Sequence, residues 1–349
     1  MRGKVLGPDA LPLSGVKVTV LNHPEFGYTE TRSGGSYDLA VNGGDNITLY
    51  FQKDGYLPSQ RRAKVEVRDF TPIEDLMLIT LDPNVTTVPL NQITEITSAR
   101  GSVIRDGAGT RQGTILVKPG VTAMMKFADG SSQPINTLAL RVTEFTVGEN
   151  GPKQMLGPLP PTSAYTYAAE LSVDEAIAEQ ASAIEFSSPL PYYVENFLNF
   201  PVGMVVPVGY YDKIDGNWKA SQNGRVIKIL SLNGGSSGDL AVLDVTGSGS
   251  ESSAKELAAM NITDAERAKI NTLYSAEQTL WRVELAHFTV WDCNWPFGPP
   301  EDAKPPLQPD PDSDDLLDCL TMYGGSIIEC ENQVLGEAIP IAGTGMALR

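Results

Sequence analysis

The sequence contains few of the side chains on which metal and nucleophile sites most often depend. Its 349 residues include two histidines, His23 and His287, and three cysteines, Cys293, Cys319 and Cys330. A zinc site built on the cysteines would need a fourth ligand at workable spacing, so we expect no metal and no cofactor. An odd number of cysteines cannot all pair with one another. A Cys319–Cys330 disulfide would close a short loop, and pairing of Cys293 with either is equally allowed, so all three are disulfide candidates.

Positive charge is also scarce. The chain has 26 lysines and arginines against 43 acidic residues, a net charge of −17. This negative field repels phosphate backbones and anionic lipids, so we expect no nucleic-acid partner. No apolar run approaches the roughly 20 residues that a membrane-spanning helix needs, which predicts no membrane span. The first residues, MRGKVLG, contain no apolar signal-peptide core. The chain is therefore either intracellular or begins downstream of its export signal.

Long stretches of helical periodicity are rare, whereas turn-forming residues are abundant, with 33 glycines and 25 prolines. This composition is typical of an all-β protein with many turns. The chain is too long for one ordinary core, which indicates two or three domains. We therefore predict a mainly β fold of two β-sandwich domains, with one short helix and an extended C-terminal tail.

Residues 184–218 form an apolar and aromatic segment that prolines interrupt. Proline cannot donate a ladder hydrogen bond, so we expect short extended pieces that are edge strands, strand starts or bulges. The interrupting prolines are Pro189, Pro191, Pro201 and Pro207. The Asp215-Gly216 pair between apolar runs predicts a β-hairpin turn. The segment contains no cluster of nucleophile, base and metal ligand, which favours a packing role.

The first predicted domain, residues 1–82, alternates strand signals with glycine turns. Strands are predicted at 16–20, 28–32, 37–41, 47–53 and 64–68, a spacing typical of a small β-sandwich. Three motifs follow in order: Gly15-Val16, Gly34-Gly35-Ser36-Tyr37 and Lys53-Asp54-Gly55-Tyr56. This series resembles the transthyretin-like, carboxypeptidase-regulatory fold, and the resemblance implies that fold for nearly the whole domain.

The second predicted domain, residues 83–298, is also rich in strand signals. Strands are predicted at 113–120, 138–147, 165–173 and 226–231, with a turn at Asp129-Gly130. The glycine-strand-Pro-Gly opening, the Phe-Ser-Ser-Pro-Leu-Pro stretch beginning at Phe186 and a later Pro-Val-Gly resemble the ZU-type sandwich of ankyrins and netrin receptors. This resemblance implies a second, larger sandwich.

A helix is predicted near residues 263–275. Thr263 and Glu266 have the spacing of a capping box. One apolar face follows, marked by Ile270, Leu273 and Tyr274. The preceding segment, 247–253, has the glycine–serine composition of a flexible linker. We expect the helix to lie against the sandwich.

The C-terminal region contains the most specific resemblance. Residues 280–291 alternate and predict one strand, and the proline- and aspartate-rich segment 299–323 predicts an extended linker. The sequence GSIIECENQVLGE within 324–349, together with His287–Pro296, resembles the region leading into the barrel of Rhs/YD-repeat proteins, the bacterial relatives of teneurins. In that family a transthyretin-like domain precedes a fibronectin-like plug, which seals a β-shell of tyrosine–aspartate repeats.

This resemblance implies that residues 324–349 begin a YD-repeat shell. The leading prediction is a non-enzymatic structural and interaction module that caps or plugs the shell of a secreted or cell-surface Rhs/teneurin-like protein. Its expected partners are the downstream shell, in the same polypeptide or a neighbouring chain, and a protein or cell-surface ligand. Aromatic and proline-rich loops suit interfaces. The predicted contact residues are Tyr192, Tyr193, Asn196, Phe197, Trp291 and Trp295.

Two alternative functions remain open. His287-Phe288-Thr289 matches the His-aromatic/aliphatic-Ser/Thr triplet of autoproteolytic ZU-type and related domains. By that analogy Thr289 would be the nucleophile, His287 the base and Phe288–Thr289 the cleaved bond. The other alternative is carbohydrate binding through four aromatic residues: Trp281, Trp291, Trp295 and Tyr192. Aromatic residues in strands more often lie in a core, so this alternative depends on their exposure.

Overall fold

The computed structural model describes residues 1–295, apart from 128, 147, 158, 160–163, 180 and 233–238, and the backbone of a short antiparallel strand pair, Ile339–Pro340 and Ala347–Leu348. The predicted linker at 299–323 and most of 324–349 lie outside the described residues. Strands dominate the described part and form two β-sandwich domains, which confirms the predicted fold class.

The first domain is a small sandwich of two sheets. Its strands are β1 (Arg2–Leu6), β2 (Lys17–Val20), β3 (Tyr28–Glu30), β4 (Ser36–Asp38), β5 (Asn46–Gln52), β6 (Ser59–Lys64) and β7 (Leu76–Met77). One sheet has the order β4-β1-β7 and the other β3-β2-β5-β6. Alternation along β2 and β5 directs every second side chain inward. Val18, Leu49 and Phe51 are fully buried as a result, each contributing about 1.5–3 kcal/mol to stability.

The last long strand of this domain differs from the prediction. The sequence predicts a strand at 64–68, but β6 begins at Ser59 and ends at Lys64. Its first residues are polar, yet Ser59, Gln60 and Arg61 are all buried. The prediction was wrong because the second domain covers this edge of the sheet, and no local pattern of apolar residues records that contact.

The second domain contains the strands between residues 86 and 292. They are β8 (Thr86–Pro89), β9 (Thr97–Arg100), β10 (Ile104–Asp106), β11 (Gly109–Arg111), β12 (Thr114–Val117), β13 (Ala123–Lys126), β14 (Ser132–Ile135), β15 (Thr137–Glu144), β16 (Ala168–Val173), β17 (Ala183–Glu195), β18 (Val205–Val206), β19 (Gly209–Asp212), β20 (Asn217–Ala220), β21 (Gly224–Ser231), β22 (Val242–Asp244), β23 (Thr279–Phe288) and β24 (Val290–Asp292). Because β7 lies in the first domain and β8 in the second, the chain passes between domains within residues 78–85.

Two large sheets build the second sandwich. Among the described residues, one sheet has nine strands, with β14-β13-β17-β23-β21-β18 as its main path and β12, β9 and β22 paired beside it. The other has six strands in the order β20-β19-β24-β16-β15-β8. Apolar side chains fill the space between them, including Leu140, Leu171, Tyr192 and Trp281. The hairpin predicted at Asp215-Gly216 joins β19 to β20 as expected.

Short helices accompany the sheets, more of them than the sequence predicts. They are α1 (Gly151–Gln154), α2 (Asp174–Ala178), α3 (Ala254–Ala259) and α4 (Asp264–Leu273), with 3-10 turns at Pro24–Phe26 and Gly148–Asn150. Helices α3 and α4 pack on the outer face of the nine-stranded sheet through Leu257 and Ile270. Within the part of the chain that the structure describes, no helix is long and apolar enough to cross a membrane.

The predicted capping box forms only in part. Thr263 accepts a hydrogen bond from the Glu266 backbone N–H at 3.2 Å, but the Glu266 carboxylate bonds elsewhere. The complete capping box lies at Ser253 and Glu256, at the start of α3. The segment predicted to be a flexible linker is also anchored, because the buried Asp244 carboxylate accepts from the backbone N–H groups of Thr246, Gly247 and Gly249.

The prolines of residues 184–218 interrupt the sheet less than predicted. Strand β17 continues through Pro189 and Pro191, with an irregular register between Glu185 and Leu190. On one side, β17 pairs with β13 through residue 186 and with β12 from residue 192. Pro189 and Pro191 lie in the gap between these two neighbours. No described strand pairs with that edge of β17 there, so no partner on that side requires their missing N–H groups.

The strand predicted at 280–291 is divided between the two sheets. Strand β23 ends at Phe288 in the nine-stranded sheet, and β24 begins at Val290 in the six-stranded sheet. Thr289 forms the bend between them. Residues 280–283 of β23 are buried on both faces, and all three residues of β24 are buried, so periodicity could not locate the change of sheet.

Candidate functional site

The two domains meet across a buried apolar contact. Leu57 and Ile79, from the first domain and the segment that follows it, pack against the second sandwich, and the Leu57 N–H donates to the Ile79 carbonyl at 2.8 Å. The partners from the second domain are Phe145, Met155, Leu156, Leu159, Ala168, Tyr211, Trp218 and Val290. The junction is therefore a continuation of the protein core, formed by side chains distant in sequence.

Arg61 crosses this junction and bonds to carbonyl oxygens. Its Nη1 donates to the Met155 carbonyl at 2.8 Å, and its Nη2 donates to the Lys153 carbonyl at 2.9 Å. These carbonyls end α1, so the guanidinium occupies the favourable place for a cation at a helix C-terminus. Burial lowers the pKa of Arg61 to about 10, which leaves the group charged at neutral pH.

Gln60 joins the same two surfaces through its main chain and its side chain. Its backbone N–H donates to the Leu156 carbonyl at 2.8 Å. Its Oε1 accepts from the Tyr211 hydroxyl at 2.9 Å, and its Nε2 donates to the Lys213 carbonyl at 3.0 Å. A buried amide with both ends bonded is directional, so Gln60 fixes how the domains are oriented.

Residues 213–216 form the loop between β19 and β20, and the Gln60 side chain bonds to this loop through the Lys213 carbonyl. We call it the hairpin loop. Asn22 Nδ2 of the first domain donates to its Ile214 carbonyl at 3.1 Å. Lys213 Nζ pairs with the buried Glu170 carboxylate at 2.7 Å. Burial raises the pKa of Tyr50 on β5, and the charge of Glu170 raises it further, which places this carboxylate near the first domain.

A cavity of about 170 Å³ lies on the other side of the hairpin loop. His287 and Thr289 line it, and Thr289 Oγ1 lies 3.4 Å from His287 Nδ1. The structure therefore brings together the two residues that the triplet predicts as base and nucleophile. We call this cavity the His287 pocket.

Aromatic rings enclose the imidazole of His287. The Tyr210 ring lies 4.6 Å from it and the Trp291 ring 4.7 Å, measured between centroids. Burial lowers the pKa of His287 below its ordinary value, and the charges of Glu185 and Asp212 offset only part of this effect. The imidazole is therefore neutral at pH 7 and can accept a proton. A neutral imidazole beside a hydroxyl is the arrangement that activates a nucleophile.

The predicted contact residues on β17 lie inside the second domain. Tyr192 and Tyr193 are buried, and the Tyr192 hydroxyl is 2.6 Å from that of Tyr167 in the core. Asn196 is also buried, where its Oδ1 accepts from Trp281 Nε1 at 2.8 Å. An external partner cannot reach these side chains in this structure without opening the sheet, so an interface formed by them stays a prediction.

Tyr193 belongs to a buried charged cluster that the sequence did not reveal. Its hydroxyl bonds to the Glu266 carboxylate of α4, and Arg282 Nε donates to the same carboxylate at 2.8 Å. Both charged side chains are almost completely buried. Glu284 Oε1 accepts from Arg282 Nη2 at 3.2 Å. The cluster ties α4 to the sheet and accounts for the incomplete capping box.

The remaining predicted contact residues pack on other aromatic rings. Phe197 is half-buried, 5.0 Å from the Trp281 ring, and Trp295 stacks on Phe200 at 4.2 Å. Trp291 is buried beside His287. The four aromatic residues of the carbohydrate alternative are all buried, so they form no exposed platform for a sugar ring: Trp281, Trp291, Trp295 and Tyr192.

Cys293 carries a free thiol and is buried. Burial raises the pKa of this thiol well above its usual range, which suppresses its reactivity. Cys319 and Cys330 lie outside the described residues, so their pairing stays a prediction. Within residues that the structure describes, no group of three or more histidine, cysteine, aspartate or glutamate side chains could hold a metal ion.

The junction residues were missed by sequence reasoning. Gln60 and Arg61 lie in a polar run whose pattern is that of an exposed loop, and their partners are main-chain carbonyls almost a hundred residues away. No local motif records such contacts. The complete capping box at Ser253-Ala254-Lys255-Glu256, in contrast, follows the Ser-x-x-Glu pattern and was visible in the sequence.

Comparison with known proteins identifies the first domain. Residues 1–78 match the family model of the teneurin TTR-like domain. Teneurin-3 of Mus musculus is 37% identical over 78 residues, 22% of this chain and 3% of that protein. Teneurin-4 of Homo sapiens is 42% identical over 60 residues, 17% of this chain and 2% of that protein. The transthyretin-like prediction is thus confirmed for this domain, although the chain corresponds to only a small part of these relatives.

A solved structure was also compared with the whole chain. BcpA, the major pilin subunit of Bacillus cereus, aligns over 72% of this chain and 79% of its own, with 10% identity and a TM-score of 0.19. This score is too low to relate the two folds.

Proposed function

We propose that the chain is a non-enzymatic structural and interaction module of a secreted or cell-surface Rhs/teneurin-like protein, in which it caps or plugs a YD-repeat β-shell. The observation that carries this proposal is the teneurin TTR-like domain at residues 1–78, joined to a second sandwich through a buried junction. Such a junction suits a module that must present two domains to a larger assembly in one orientation. The expected partners are the downstream shell and a protein or cell-surface ligand.

The proposal is tested on the full-length gene product. Sequencing beyond codon 349 should show tyrosine–aspartate repeats, and electron cryomicroscopy of the purified protein should show the second sandwich seated in the opening of a β-shell. A reading frame without such repeats, or a shell whose opening is filled by another segment, would refute the capping role.

A second candidate function is autoproteolysis between Phe288 and Thr289. It is supported by the 3.4 Å approach of Thr289 Oγ1 to a neutral His287 imidazole at the bend between two sheets. Thr289 Oγ1 would attack the Phe288 carbonyl carbon while the imidazole takes the hydroxyl proton. The peptide nitrogen would leave with a proton, giving an ester that water hydrolyses to the Phe288 carboxylate and the Thr289 hydroxyl.

Intact mass spectrometry of freshly purified protein tests this candidate. Cleavage yields fragments 1–288 and 289–349, and hydroxylamine should accelerate it because hydroxylamine attacks the ester. Thr289→Val removes the hydroxyl while keeping the shape, so it should remain full-length, whereas Thr289→Ser should cleave. A single full-length mass for the unmodified protein, before and after hydroxylamine, excludes autoproteolysis.

A further inference from the structure

One face of the hairpin loop contacts the first domain, and the other face lies within the second domain. Toward the first domain, Gln60 and Asn22 bond to two of its carbonyls, as described above. Gly216 also packs there with a φ of +67°, and a Cβ atom at this position would lie 3.2 Å from Gln60 Oε1 and from Thr48 Cγ2. The loop thus fits closely against β5 and β6.

The opposite face of the same hairpin forms a wall of the His287 pocket. Asp212, Lys213 and Ile214 line the cavity together with Tyr210, whose ring packs against the imidazole. Strand β17 supplies the facing wall, including Glu185. Every element that lines the His287 pocket is therefore part of the second domain, but the loop of one of them, the hairpin, also bonds to the first domain.

The hairpin loop is stiff within itself. The Asp212 carboxylate accepts from the backbone N–H groups of Ile214, at 2.9 Å, and Asp215, at 3.1 Å. Lys219 Nζ donates to the same carboxylate at 2.6 Å. Because these bonds lie inside the hairpin, they persist when the contacts to the first domain are lost. Strand β19 stays paired with β24, and Lys213 stays paired with Glu170, so the movement is confined to the tip of the hairpin at 214–216. Ile214, which lines the pocket, would move with that tip.

We propose that the first domain, acting through the hairpin loop, controls solvent access to His287 and Thr289. Displacement of that domain by a partner would release the tip of the hairpin and widen the pocket at Ile214. Gln60 and Asn22 are positioning residues in this device, since they touch neither side chain of the pocket. The inference goes beyond the capping role and does not require that the chain cleaves itself.

Histidine modification by diethylpyrocarbonate measures this access directly. The chain has two histidines, and the His23 side chain is 55% exposed, so peptide mass spectrometry can report the rate at His287 relative to His23. Gln60→Ala should raise this ratio severalfold. Lys64→Ala, an exposed change on the same strand, should leave it unchanged.

Asn22→Gly provides a second test because it removes the other loop contact at an exposed position and suits the positive φ of 61° there. It should also raise the ratio, and it decides the question if Gln60→Ala does not fold. An unchanged ratio in Asn22→Gly, or an equal rise in Lys64→Ala, would overturn the proposal. Labelling of His287 can be measured whether or not the Phe288–Thr289 bond is cut. The outcome of this experiment is therefore independent of whether the chain cleaves itself.

Discussion

The Arg61 side chain offers the sharpest test of the domain junction. Its guanidinium donates to three carbonyls of the second domain: Lys153, Met155 and Leu156. Hydrogen bonds from a charged group contribute about 1.5–3 kcal/mol each. Burial lowers the pKa of Arg61 to about 10, a cost of roughly 3 kcal/mol for the charged form. We therefore expect Arg61→Ala to reduce the free energy of unfolding by about 3 kcal/mol.

Arg62 is the matched control. It lies next to Arg61 on the same strand and also bonds across the junction, to Asn217 Oδ1 at 2.6 Å, but it is exposed. Exposed polar contacts contribute little, so Arg62→Ala should change stability by about 0.5 kcal/mol or less. Arg61→Lys should be intermediate, because a single ammonium keeps the charge but cannot bond to both helix-end carbonyls in the same geometry.

Urea unfolding followed by two signals provides the assay. All four tryptophans lie beyond residue 200, so tryptophan fluorescence reports the second domain, whereas far-ultraviolet circular dichroism reports both. In the unmodified protein the two midpoints should coincide. Arg61→Ala should lower both and separate them as the domains uncouple. Equal midpoints for Arg61→Ala and the unmodified protein, or an equal loss in Arg62→Ala, would refute this account of the junction.

Other buried groups yield further predictions. Burial raises the pKa of Asp292 to about 7, so the folded state binds more protons than the unfolded state between about pH 4 and pH 7, and stability falls as pH rises. Chemical denaturation should find the protein about 2 kcal/mol more stable at pH 5.5 than at pH 7.5 from this group, and Asp292→Asn should abolish that difference. Glu266→Ala should cost about 3 kcal/mol, because the buried Arg282 would lose its closest carboxylate and keep the more distant Glu284 carboxylate at 3.2 Å. Glu266→Ala with Arg282→Met should recover much of this loss, and a double variant no more stable than the single one contradicts the pairing. Asp244→Ala should make residues 245–249 sensitive to limited proteolysis, and an unchanged digestion pattern would show that the loop has other anchors.

Local features of the chain were predictable where the cause is local. Glycine and proline turns, alternating strands and the Thr263 cap each depend on residues a few positions apart, and the motifs from Gly15 to Tyr56 indicated the first domain. The misassigned elements depend on distant contacts. The first residues of β6 are polar yet buried, because the second domain covers them. Strand β17 tolerates Pro189 and Pro191 because its neighbour on one side changes from β13 to β12 there.

The same distinction applies to the candidate site. The triplet at His287 places a base and a hydroxyl two residues apart in the sequence, and the pairing of these two side chains was predicted from the triplet itself. What the triplet could not indicate is the environment of the imidazole. That environment depends on Tyr210 and on a hairpin whose loop bonds to Gln60, a residue of another domain.

Apolar and polar contacts have different roles at this junction. Apolar burial is non-directional, so the contact of Leu57 and Ile79 with the second sandwich stabilises many relative orientations about equally. The hydrogen bonds of Gln60 and Arg61 are directional, and their acceptors are main-chain carbonyls whose positions are set by α1 and the hairpin loop. Only one orientation satisfies all of them while they are buried, and any other leaves an unpaired guanidinium or amide. The apolar contact therefore holds the domains together, and the buried polar residues select the angle between them.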